Sequence, residues 1–205
     1  MKQKVKYSKN LIGQKRRSVW DEISTVLFIF VMAVFVIFIA FSRIYTGDEI
    51  KGESMEPTYY SGDIVYFAKT KNITYGDNII IKSGSKDIIK RVIGLAGDTI
   101  EIKLDVVGYY RVFRNGEMLN ETYLGDLEGN TKKHDEFVAY HGSESVVVGA
   151  GEVFVLGDNR ANSNDSAQHG CFSVNDIVGR VDYYVEKGKT PMLDLFVQFF
   201  LPIFK

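Results

Sequence analysis

The chain has one cysteine, three histidines and no internal repeat, and each shortage closes off a class of chemistry. Cys171 has no second thiol to pair with, so no disulfide can form within the chain, and no further cysteine stands at metal-ligand spacing. Such a lone thiol is read as a small buried hydrophobe. His134, His141 and His169 are scattered over polar segments without the close spacing of a metal site, and are read as solvated loop residues. The Asp/Asn-rich run at 157–166 has no Glu closing a twelve-residue loop with Gly at its sixth position, which excludes a calcium loop of the helix-loop-helix kind. No cofactor and no metal are expected. Residues 1–17 contain no acidic side chain at all.

What is present falls into two unlike parts. The net charge of −1 conceals an asymmetry: residues 1–17 hold seven Lys/Arg, leaving 18 basic against 26 acidic residues in the remainder, a net −8. A basic end and an acidic body are expected to meet different surroundings. Ile23 to Phe41 carries no charge, and these nineteen residues would make a helix of about 28 Å, matching a hydrocarbon core of about 30 Å. The apolar run exceeds the ~7–15 residues of a cleaved leader, and Ala40-Phe41-Ser42 is a poor cleavage site. Residues 23–41 are therefore predicted to be an uncleaved transmembrane helix. Residues 1–22 become a basic cytoplasmic segment rather than a nucleic-acid arm, because excess Lys/Arg beside a span holds that flank inside. Everything from residue 42 onward is then outside.

With 205 residues and 45% hydrophobic composition, the chain suffices for one domain plus this anchor. Segments Asp63–Lys69, Asn78–Lys82, Asp87–Ile93, Asp98–Lys103, Tyr109–Arg114 and Ser145–Leu156 are rich in Val, Ile, Tyr and Phe and are parted by Gly, Asn and Asp. Asn115-Gly116 suits a two-residue hairpin turn. Residues 42–190 are thus predicted to be a mainly β, antiparallel domain, with Leu124–His141 as a looser polar insertion.

Between the apolar run and the first strand lies Gly52-Glu53-Ser54-Met55-Glu56-Pro57-Thr58. Ser54 there is a candidate nucleophile, thirteen residues beyond Phe41, a reach of at most about 45 Å. A serine hydroxyl is a poor nucleophile at neutral pH and needs a base. Strand alternation puts Lys90 on one face with Ile88 and Val92, and Arg91 on the other with Ile89 and Ile93. An apolar face lowers a lysine pKa by disfavouring the ammonium, so Lys90 can be that base. Arg91 cannot, since a guanidinium keeps its proton.

Ser54-Met55 with Pro57-Thr58, Gly62-Asp63, Lys90-Arg91-Val92 with Gly97-Asp98, and Gly157-Asp158-Asn159-Arg160 with Ser163 and Asp165-Ser166 follow one another in a specific order. In this the chain resembles the bacterial type I signal peptidases over roughly residues 15–185. The resemblance implies a fold of coiled antiparallel sheets. It makes Ser54 the attacking group and Lys90 general base and then general acid, with the Ser54 backbone N–H as an oxyanion donor. It assigns Ser163 a hydrogen bond to the Lys90 amine, gives Asp158 and Asp165 the role of bracing the site, and places Met55 and Pro57 in the substrate groove. Position 52 is glycine, so no side-chain hydroxyl is available there to the oxyanion. Similar sequences often carry an acid at the position of Ala161 and an arginine at that of Ala167; the latter departure leaves the charge partner of Asp165 open.

The expected function is that of a membrane-anchored serine endopeptidase which removes signal peptides from exported preproteins after small residues at −1 and −3. It would act on the outer face of a bacterial cell membrane. Its partners would be secreted preproteins and the lipid bilayer, with no nucleic acid. A self-cleaving repressor-type Ser–Lys protease is a cytosolic rival, and the apolar run argues against it. A membrane-held accessory protein with a degenerate site, binding secreted or pilus subunits, is opposed by intact Ser54 and Lys90. Residues 191–205 form an apolar tail in which Leu193, Phe196, Val197, Phe200 and Phe204 share a helical face, too short to span and expected to lie in the membrane interface.

Overall fold

The computed structural model describes residues 18–125 and 131–190. Most of the expected cytoplasmic segment and the whole of the amphipathic tail therefore lie outside the described residues. The chain divides into two compact units, residues 1–43 and 44–205.

The first unit is dominated by helix α1, Val19–Ile44, which contains the predicted span and extends it at both ends. Ser18 and Asp21 set its start reciprocally: the Ser18 hydroxyl accepts the Trp20 N–H at 3.2 Å, and the Asp21 carboxylate accepts the Ser18 N–H at 3.0 Å. Ser24 and Thr25, the two polar side chains near the head of the apolar run, donate to the Asp21 carbonyl at 3.0 and 2.7 Å, so neither hydroxyl is left unsatisfied. No side chain of α1 is buried, and the helix is long and apolar enough to cross a membrane.

Among the described residues, the second unit has eleven strands and two α-helices. In chain order they are β1 Tyr45–Glu49, β2 Ile64–Ala68, β3 Asn78–Ser83, β4 Lys86–Leu95, β5 Thr99–Leu104, β6 Tyr110–Arg114, β7 Glu117–Met118, α2 Thr131–His141, β8 Ser145–Val147, β9 Glu152–Leu156, α3 Ser166–His169, β10 Phe172–Ser173 and β11 Ile177–Val185. One sheet runs β1-β2-β11-β3-β4-β9-β10 and the other β7-β6-β5-β8, every pair antiparallel. The mainly β expectation holds.

The predicted strands appear within a residue or two, except that the run at 145–156 is cut in two around Gly149-Ala150-Gly151. Asn115 and Gly116 take φ of 54° and 82°, the left-handed pair that a two-residue hairpin between β6 and β7 requires. The polar insertion is not merely loose, since its second part folds as α2. His134 and His141 consequently sit on a helix and are half-buried, His134 stacked on Tyr110 at 4.1 Å and His141 against Phe137 at 4.5 Å, so the solvated-loop reading fails for both.

Alternation along β4 sorts its side chains as expected. Ile88 and Val92 join Ile79, Ile81, Val153, Val155 and Ile177 in one core, while Ile89 packs with Ile50, Met55, Val65 and Ile80 in another. The register slips between Val92 and Gly94, and Ile93 passes to a third core with Ile100 and Phe154. Gly94 gives close packing at that slip: a Cβ there would lie 2.7 Å from Ile100 Cδ1, so the buried Ile100 would have to shift.

Candidate active site

Ser54 lies in the turn that follows β1. Ile50 N–H donates to the Asp63 carbonyl at 2.8 Å and Gly62 N–H to the Ile50 carbonyl at 2.9 Å, closing the base of the loop. Asp63 is buried and accepts from the backbone of Tyr60 at 2.8 Å and of Lys187 at 2.9 Å. Met55 is 1% exposed and packs with Ile50, Tyr59, Val65, Phe67 and Ile80. Burying the residue next to Ser54 pins the turn to the sheet, a contact of the kind whose truncation to Ala costs about 2–5 kcal/mol. Met55 is therefore a core residue, which corrects its placement in the substrate groove. Pro57, although exposed, does not line the cavity beside Ser54 either.

Lys90 comes from β4, 36 residues away, and its Nζ is 2.8 Å from Ser54 Oγ and 2.8 Å from the Ile89 carbonyl. The side chain enters from an apolar strand and is 2% exposed. Burial is the main reason its pKa falls from 10.5 to about 8; Lys133 lowers it too, while Asp165 and Asp158 act against the fall. An amine so placed is substantially neutral in mild alkali, and in that form its lone pair can accept the Ser54 proton along the existing contact.

A cavity of about 640 Å³ opens beside the pair, with Ile50, Val65, Ile80, Ile88 and Ile89 among its lining. One wall is the Asp48–Lys51 segment and the other is the start of β4. Over residues 86–90, β4 pairs with β3 only, because β9 joins from Arg91 onward. One strand edge beside Lys90 is thus unpaired among the described residues, and unpaired edges are templates for an added strand.

The segment from Gly157 to Ser166 backs the pair. Asn159 N–H donates to the Ser54 carbonyl at 3.0 Å, and a Cβ on Gly157 would stand 2.5 Å from that carbonyl oxygen and 2.1 Å from Ser163 Oγ. Only glycine fits there. Asp158 is fully buried and meets not the pair but Arg91, with the Thr58 hydroxyl also donating to it. Arg91 lies over the Tyr123 ring at 3.9 Å. Asp165 accepts the N–H groups of Gly157 at 3.0 Å and Ala167 at 3.1 Å, the second capping α3. The expected bond from Ser163 to Lys90 is not made: the Ser163 hydroxyl is buried and has no hydrogen-bond partner among the described residues.

Sequence reasoning did not single out Glu121, Tyr123 or Lys133. Glu121 takes both terminal nitrogens of Arg160, and Lys133 reaches Asp165 at 3.3 Å. The one local signal for Lys133 is its position four residues before Phe137, which puts both on the buried face of α2.

A serine hydroxyl in contact with a buried amine of lowered pKa, in a cleft of mixed apolar and charged lining beside an open strand edge, is the arrangement of serine hydrolases that use lysine as base. The profile of the family described as "Signal peptidase, peptidase S26" matches residues 22–185, and the chain belongs to that family. Signal peptidase I P of Bacillus subtilis subsp. natto is 33% identical over 174 residues, covering 81% of this chain and 88% of that protein. Signal peptidase I of Streptococcus pneumoniae is also 33% identical over 174 residues, covering 71% of this chain and 85% of its own length. The crystal structure of a signal peptidase I from Enterococcus faecalis is 28% identical, covers 54% of this chain and 97% of that one, and superposes with a TM-score of 0.43.

Proposed function

We propose that the chain is a membrane-anchored serine endopeptidase that removes signal peptides from exported preproteins, with Ser54 as nucleophile and Lys90 as base. The observation that carries the reading is the 2.8 Å contact of a buried Lys90 amine with the Ser54 hydroxyl. Ser54 Oγ attacks the scissile carbonyl as neutral Lys90 takes its proton, and the Ser54 backbone N–H faces the developing oxyanion. The resulting ammonium gives that proton to the leaving amine. Water, deprotonated by the same amine, then hydrolyses the acyl-enzyme and frees Ser54.

The substrate is an extended strand lying against the open edge at 86–90, held between it and Asp48–Lys51. Strand alternation then turns −1 and −3 toward one wall and −2 away. Helix α1 anchors the protein in the bilayer with its basic flank in the cytoplasm and the β unit outside.

The full-length protein in detergent micelles, offered a preprotein with an A-x-A site, should release the mature protein with its native N-terminus. Intact preprotein after prolonged incubation at pH 8 to 9 would sink the assignment.

A further inference from the structure

The loop at 157–166 carries three charged side chains, and each is paired with a different part of the fold: Asp158 with Arg91, Arg160 with Glu121, Asp165 with Lys133. The third pairing has no counterpart among the expectations from sequence. Lys133 stands in the first turn of α2, and its side chain is wholly buried. Its ammonium donates to the Ser163 carbonyl at 2.8 Å, to Glu136 at 2.9 Å and to Asp165 at 3.3 Å. Those three acceptors match the three N–H groups of a lysine, so the cation is fully satisfied where it lies.

Two of the acceptors belong to the loop behind the nucleophile. Asp165, held by Lys133, in turn holds the Gly157 N–H, and Gly157 packs directly on the Ser54 carbonyl and the Ser163 hydroxyl. A contiguous path of hydrogen bonds and close packing therefore runs from Lys133 through Asp165 and Gly157 to Ser54. Ala167 is buried beside the same carboxylate and carries no charge, so Lys133 is the cation that neutralises Asp165.

We propose that Lys133 is a positioning residue for the Ser54–Lys90 pair, pinning the Ser163–Asp165 segment behind the nucleophile and cancelling the charge of Asp165 where it faces Lys90. This rests on the Ser–Lys reading given above. A buried pair that served stability alone would hold the loop equally well but would leave the chemistry of Lys90 untouched. The charges facing Lys90 are Asp158 and Asp165 from the loop and Lys133 from α2; the carboxylates favour its ammonium form and Lys133 opposes it. Glu136 faces Lys133 from the next turn of the same helix. Without Lys133 the charge of Asp165 stands uncompensated, and Lys90 holds its proton to higher pH.

The test uses full-length enzyme in detergent micelles and compares Lys133→Met, Lys133→Arg and the double variant Lys133→Met/Asp165→Asn, with kcat and KM for preprotein cleavage measured from pH 6 to 10. Lys133→Met should lower kcat at pH 7.5 on the order of 10- to 100-fold, with KM little changed, as expected when a supporting residue lets reacting groups drift. Its acid limb should move to higher pH, so that part of the loss is recovered in alkali. Lys133→Arg should keep its acid limb with the wild type. The double variant removes the Asp165 charge together with its cation and should move the limb the other way, to or below the wild-type position, while kcat stays reduced.

A Lys133→Met enzyme with the wild-type limb and kcat would overturn the proposal. Should that variant not fold, the double variant decides: a wild-type kcat and limb overturn the proposal, and a reduced kcat with a lowered limb supports it. Failure of the underlying Ser–Lys reading is distinguishable, because it would appear in the wild type as an absence of cleavage or an acid limb that survives Lys90→Met.

Discussion

Arg91 and Asp158 meet through two parallel hydrogen bonds, Nε to Oδ1 at 2.8 Å and Nη2 to Oδ2 at 2.6 Å. Because Arg91 directly follows Lys90, this fork ties the strand that supplies the amine to the loop that backs Ser54, across 67 residues of chain. The remaining terminal nitrogen donates to the Gly76 carbonyl at 2.9 Å, and Nη2 also reaches Thr58 in the loop that carries Ser54 at 3.2 Å. One guanidinium thus references both halves of the site to a common point.

Replacing Arg91 by Met should cost about 3–5 kcal/mol, because it leaves the Asp158 carboxylate buried without its cation. Arg91→Lys should be less damaging to stability but still harmful to activity, since an ammonium cannot reproduce the fork. Urea unfolding of the detergent-solubilised protein, followed with kcat, checks both; an Arg91→Met protein as stable as wild type would contradict the structural role.

Ser54→Ala and Lys90→Ala should each abolish cleavage, and the double variant should be no worse than either, since the two act as a unit. Lys90→Arg should fail as well, because arginine keeps its charge. In the wild type, cleavage should rise with pH through about 8 as the amine loses its proton, and be poor in mild acid. Near-normal turnover by Lys90→Arg, or a pH-independent rate between 6 and 9, would remove Lys90 from the base role.

Burial of Lys90 also predicts a stability change with a definite sign. Between pH about 8 and 10.5 the unfolded chain binds a proton at this lysine that the folded chain does not, so wild-type stability rises with pH across that window. Below about 8 the penalty is present in full, on the order of 3 kcal/mol, and above 10.5 it is gone. Lys90→Met should therefore unfold at higher denaturant concentration than wild type at pH 7, with the gap narrowing toward pH 10.5. A gap that stays constant from pH 7 to 10.5 would show that Lys90 is not titrating out of place.

Specificity tests the strand edge. A bulky residue such as Phe at −1 should prevent cleavage, while the same change at −2 should be tolerated, because a strand laid against residues 86–90 turns those side chains to opposite sides. Initial rates on a matched pair of preproteins decide the matter, and equal losses at the two positions would rule out extended binding.

The local features of this protein were legible along the chain. Nineteen uncharged residues sufficed for α1, two-residue alternation for most of the strands and for the sorting of Ile88, Ile89 and Val92, and Asn115-Gly116 for a hairpin. Each depends on neighbours within one element, where periodicity or backbone preference acts directly. The burial of Lys90 was legible for the same reason, since it alternates with apolar neighbours on its own strand.

Other features were decided only when distant segments packed. Strand β11 sits between β2 and β3 in the interior of the larger sheet, yet its apolar pattern is broken by Gly179, which is needed because a Cβ there would lie 2.4 Å from the Ala68 carbonyl. Met55 looked available to substrate until the sheet closed over it. The spacing of Lys133 to Phe137 marks its face of α2, but only the docking of α2 near α3 buries it against Asp165, 32 residues on. Periodicity along a chain reports which face of an element is apolar; which charge meets which, and which is stripped of water, depends on contacts between residues tens of positions apart, and these exist only in the folded protein.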